Sequence, residues 1–98
     1  MAKAISVVNI LEIYDVEKFQ KYVIGHLPTI EKYNGKFLVK GAAGEILEGN
    51  WDSNRVVIHE FPSVQQFKAW YQSEDYQPWK ELRQSCAKVN AILLESCS

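Results

Sequence analysis

Several features that mark specialised protein classes are scarce or missing in this sequence. Only two of its 98 residues are cysteine. Cys86 and Cys97 form no CxxC pair and have no histidine nearby, so no metal site is expected, and both are read as reduced thiols. No apolar run approaches the roughly 18 residues of a membrane span. Positive charge is not in excess either: eleven Lys and Arg stand against twelve Asp and Glu, a net charge of −1. A nucleic-acid partner needs a basic surface and is not expected. Proline (three) and glycine (five) are too few and too scattered for a linker, so a single domain over residues 1–98 is expected. Met1-Ala2-Lys3 leads straight into Ile5–Leu11 with no cleavable apolar leader, and a cytoplasmic location follows as the expectation. Ser6 and Ser73 have no GxSxG context, and neither cysteine has a basic histidine beside it. Nucleophilic catalysis is therefore not indicated.

What the chain does have is period. Residues 3–13 are rich in Ile and Val and read as a strand. From Asp15, a predicted N-cap, the spacing becomes helical: Val16, Phe19, Val23, Leu27, Ile30 and Tyr33. Pro28 lacks an N–H, so a kink or break is expected near Gly25–Leu27, and Asn34-Gly35 ends the segment. Lys36–Lys40 reads as a second strand, with strand character resuming over Glu45–Gly49 and a turn at Asp52-Ser53-Asn54. Arg55–Phe61 is the clearest strand. Ser63 with Gln66 forms a capping-box pattern ahead of Val64, Phe67, Trp70 and Tyr71. Ser73 is placed to cap a further helical segment carrying Tyr76, Trp79, Leu82 and Cys86, and Lys88–Glu95 closes as a fourth strand.

The order strand, helix, strand, strand, helix, strand predicts an α+β, ferredoxin-like βαββαβ fold. Its sheet has four antiparallel strands, the first and third central, with the helices on one face. A sheet with one wet face should alternate apolar and polar residues. Here both faces are apolar: Ile5, Val7 and Leu11 oppose Val8 and Ile10, and Val56 and Ile58 oppose Val57 and Phe61. Helices cover one face only, so a second copy packed by two-fold symmetry is expected over the other.

Four stretches carry a resemblance: Tyr33–Gly41, Leu47–Trp51, Arg55–Ser63 and Ala69–Pro78. Together they make the chain similar, over nearly its whole length, to the domain-of-unknown-function 1330 family of the dimeric α/β-barrel superfamily. Arg83 falls where that family tends to carry arginine. The resemblance implies the same ferredoxin-like dimer and leaves the biochemical role unassigned. It also shows departures, since Asn34-Gly35 stands for Gly-Gly and Lys40-Gly41-Ala42 for Arg-Gly-Gly. Lys lacks the planar fork that Arg presents to a carboxylate. Superfamily members include small monooxygenases, muconolactone isomerases and haem-dependent enzymes, a likeness of fold rather than of function.

The candidate chemistry rests on a few polar side chains. Glu60 ends a central strand, where partial desolvation would raise its pKa as a general base requires; a paired strand-end carboxylate is the plainer alternative. His59 points to the opposite face and reads as a core or interface residue. His26, beside the Pro28 break, is either turned to a cleft or an ordinary surface imidazole. Trp70, Tyr71 and Tyr76 either line an aromatic pocket, Tyr71 offering a phenolic donor, or fill the core. Asn9 interrupts an apolar strand and needs partners. Arg55, Lys40 and Arg83 are the cations suited to an anionic ligand. A catalytic set of Glu60, His26 and Tyr71, with Trp70, Arg55, Asn9, Tyr76 and Arg83 binding ligand, is thus expected, without cofactor or metal. It would bind or transform a small apolar or anionic metabolite by proton abstraction or cofactor-free oxidation. The alternative is a non-catalytic structural or regulatory dimer.

Overall fold

The computed structural model describes residues 2–51 and 55–97. The turn expected at Asp52-Ser53-Asn54 lies outside the described residues. In chain order the elements are β1 (Ala4–Ile13), α1 (Val16–Gly25), α2 (Leu27–Lys32), β2 (Lys36–Ala42), β3 (Arg55–Phe61), α3 (Val64–Tyr71), α4 (Gln77–Cys86) and β4 (Ala87–Glu95). The sheet order is β2-β3-β1-β4, all neighbours antiparallel, so β1 and β3 are central as the crossover argument requires. This is the ferredoxin-like α+β arrangement.

Local chemistry sets the helix ends. The Asp15 carboxylate accepts from Lys18 N at 3.1 Å, and Ser63 Oγ accepts from Gln66 N at 3.1 Å. Gly25 ends α1 under the Trp79 ring, which any Cβ at this position would overlap. Pro28 then sits in the first turn of α2, where its missing N–H costs nothing. Asn34 turns the chain at φ +63°. Ser73 Oγ donates to Trp70 O at 2.7 Å and accepts from Tyr76 N at 3.2 Å, carrying the chain into α4. No helix among the described residues is long and apolar enough to cross a membrane.

One expected strand segment is absent. Glu45–Gly49 is irregular, and its Ile46 and Leu47 are exposed. β3 already pairs with β1 on one side and β2 on the other, so this segment cannot pair with the strand that follows it.

The register assigns faces. Ala4, Ser6 and Val8 of β1 lie opposite Phe61, His59 and Val57 of β3, on the side of the helices. Val7 lies opposite both Ile58 and Ile92 on the other side, where no helix among the described residues packs. The core is solid at one end, where Phe61, Ile30, Tyr76 and Trp70 are at most 2% exposed. The helix-facing residues of β3 therefore run from core at Phe61, through His59 and Val57, to an open end at Arg55.

Candidate functional site

Toward that open end, sheet and helices part around a cleft of about 890 Å³. Its floor is made of short side chains, including Ser6, Val8, Val57 and Ala91, which leave the space that larger residues would fill. Helix α1 contributes Phe19 and Tyr22, α3 contributes Trp70 and Tyr71, and α4 contributes Arg83. The volume suits a small organic ligand, and the surface is mainly apolar with a few polar groups.

Those polar groups are held from behind. Tyr22 and Tyr76 share a hydroxyl–hydroxyl hydrogen bond of 2.7 Å. Burial raises the pKa of both phenols, so both stay neutral. Arg83 of α4 lies against these phenols, half-buried, and no carboxylate bridges it among the described residues. The cleft thus has a permanent positive charge flanked by neutral hydroxyls.

Two imidazoles face the same space. His26, 4% exposed, stacks on Tyr22 at 4.2 Å between centroids and 10° between planes. Its Nδ1 lies 2.7 Å from the Tyr22 carbonyl, an acceptor only, so Nδ1 carries the proton and Nε2 the lone pair. His59, 5% exposed, places Nδ1 3.4 Å from Ser6 Oγ, while its buried Nε2 has no partner. Desolvation lowers the pKa of both rings, that of His59 to about 4 with a further push from His26, so both are neutral at pH 7. The Phe37 ring touches both, at 6.0 Å from His26 and 4.7 Å from His59.

Of the expected site residues, His26, Trp70, Tyr71, Tyr76, Arg55 and Arg83 all line the cleft. Trp70 spends its N–H on Thr29 Oγ1 at 2.9 Å, so it offers a ring face and no donor. Arg55 stands at the exposed rim. Two residues are not there. Glu60 points to the opposite sheet face, paired with Lys3 at 2.9 Å and Lys36 at 3.4 Å. Its hydrogen bond from Lys3 holds its pKa below the usual value, where a general base needed it raised. Asn9 also lies on that far face, beside Val56 and Asn90, with its buried Oδ1 unpartnered.

Sequence reasoning missed Tyr22 and undervalued His59. The apolar stripe chosen for the first helix ran through Val16 and Val23, which are 60% and 41% exposed, whereas Tyr22 is the buried residue of α1. The pairing of Tyr22 with His26 at i, i+4, which stacks two rings on one helical face, was the available signal. For His59 the signal was its place beside Ser6 in the sheet, which only the register reveals.

A solved protein of unknown function from Rhodopseudomonas palustris is similar, with 22% identity, a TM-score of 0.76, and coverage of 97% of this chain and 83% of that one. A dimeric ferredoxin-like protein of unknown function from Thermobifida fusca matches at 12% identity and TM-score 0.57, over 97% and 92% of the two chains. A putative antibiotic biosynthesis monooxygenase from Nitrosomonas europaea matches at 14% identity and TM-score 0.58, over 98% and 90%. At these identities the likeness is one of fold. No curated protein matches. The family model of the domain of unknown function DUF1330 matches residues 3–97, and the chain belongs to that family.

Proposed function

We propose that this protein is a single-domain cytoplasmic homodimer that binds a small, largely apolar carboxylate in the cleft between sheet and helices. The observation carrying this reading is Arg83, a half-buried guanidinium in a mainly apolar cleft with no carboxylate bridging it among the described residues. A cation in such surroundings is stabilised by an anion, and its planar fork suits a carboxylate. The Trp70 and Phe19 rings supply the apolar walls. The uncovered apolar sheet face supports the dimer, as does the dimeric neighbour from Thermobifida fusca.

A ligand that binds only the native state raises its melting temperature by mass action. Aromatic and alicyclic carboxylates are expected to raise it, each 1 kcal/mol of binding giving about 4–8 °C for a chain of this size. The corresponding alcohols and amines are expected to do nothing. Arg83→Met keeps the aliphatic stem and removes the charge; it is expected to abolish the response to acids. An equal response to acids and alcohols would overturn the reading and leave the non-catalytic dimer. Turnover of the bound acid is a second reading, favoured by the two neutral imidazoles in the cleft.

A further inference from the structure

The two histidines ask for something that Arg83 does not. A buried polar nitrogen without a partner costs stability, and the great majority of such atoms in folded proteins are satisfied. His59 Nε2 is buried and unpartnered, on a side chain 95% withdrawn from solvent by its 5% exposure. Phe37, Phe61 and Trp70 surround it with rings, none of which accepts or donates a conventional hydrogen bond toward it. His26 is the complementary case. Its proton is committed to the Tyr22 carbonyl and its plane is fixed by the Tyr22 ring, so Nε2 can only accept.

We propose that His26 and His59 together bind a hydroxyl group on the acid held by Arg83, so that the ligand class is a hydroxylated apolar carboxylic acid. A hydroxyl has one proton to give and lone pairs to receive with. It donates to His26 Nε2, the nitrogen with no proton. Its lone pairs answer His59 Nε2–H, the tautomer present when Ser6 Oγ donates to His59 Nδ1. A ketone or ether oxygen has no proton for His26 and satisfies half the arrangement. Because both rings are neutral, they read an uncharged group and leave the charge of the acid to Arg83. The inference rests on the acid-binding reading above and adds the second recognition point.

The test is calorimetric titration with naphthoate, its positional hydroxy isomers and the matching methoxy isomers. At least one hydroxy isomer is expected to bind wild-type protein about tenfold more tightly than naphthoate, the methoxy counterpart losing that gain. In His59→Phe and in His26→Phe, unsubstituted naphthoate is still expected to bind through Arg83, at an affinity set by the new rings, which reports that the cleft is folded. The hydroxyl preference is expected to vanish. His59→Gln, which restores a polar tip, is expected to recover part of it. If no hydroxy isomer is preferred, or if the preference survives both phenylalanine substitutions, the histidine inference is overturned while acid binding stands. If naphthoate and its isomers all bind Arg83→Met as they bind wild type, the acid-binding reading itself fails, and this one with it.

Discussion

His59 shows how one residue can carry both a cost and a titration. Its folded pKa of about 4 lies below the ordinary value of 6.5 because burial penalises the imidazolium. The unfolded chain therefore binds a proton that the folded chain refuses between those two values. Stability is full above about pH 6.5 and falls as pH drops toward 4, by about 3 kcal/mol at most from this group. His26 shifts the same way and adds to the loss. Urea unfolding between pH 7 and pH 4 is expected to show that slope in wild type and a shallower one in His59→Phe. At pH 7 His59→Phe is expected to be as stable as wild type or more so, since it removes an unpartnered buried nitrogen worth about 1–3 kcal/mol. An unchanged slope would mean that His59 titrates as an exposed histidine does. Glu60 carries the contrasting lesson. Its place in the strand was legible, but its pKa direction was not, because Lys3 and Lys36 reach it only through the β1–β3 and β2–β3 pairings.

At the scale of elements, the cleft depends on where helices stop. The break between α1 and α2 turns His26 inward, and it exists because Gly25 meets Trp79 of α4 while Pro28 is accommodated one residue into α2. Gly25→Ala is expected to displace the Trp79 ring and loosen α1 from α4, costing about 1–3 kcal/mol in chemical denaturation although alanine is the better helix former. A neutral or stabilising outcome would show that Trp79 moves aside freely. Asp15→Ala removes the cap of the same helix and is expected to cost about 1 kcal/mol, lost from the same transition. Most of this level was readable in advance. The N-caps at Asp15 and Ser63, the break before Pro28 and the Asn34 turn are local chemistry, and local chemistry is written in neighbouring residues. The β2–β3 connection was misread at Glu45–Gly49, since a strand needs a pairing partner and the sequence does not say that β2 and β1 already take both edges of β3. The choice of Val23 over Tyr22 failed for a related reason: helical spacing allows adjacent stripes, and tertiary packing selects one.

At the scale of the whole molecule, the two buried unpartnered side-chain atoms among the described residues lie on opposite faces of the sheet. His59 Nε2 faces the helices, and Asn9 Oδ1 faces away from them. Under the readings proposed above, a ligand would answer the first and another copy of the chain the second. The far face has at its centre a row of Val39, Ile58, Val7 and Ile92, joined side by side through three strand pairings. Ile92 is 58% exposed in the isolated chain. Such a row, continuous across four strands, is the kind of patch that soluble monomers rarely leave open. In the proposed dimer a two-fold axis through this face would lay the row of one copy against the row of the other. Val7 sits at its middle, flanked by Ile58 and Ile92. Val7→Lys places a charge there and is expected to convert a dimer in sedimentation velocity into a monomer. The helix-side cleft is untouched by this change, because Val7 and the cleft lie on opposite faces. The response to naphthoate is therefore expected to persist in the monomer. A wild-type protein that sediments as a monomer at micromolar concentration would remove the two-fold cover and leave the apolar row without an occupant. A dimer that survives Val7→Lys would move the interface to another surface.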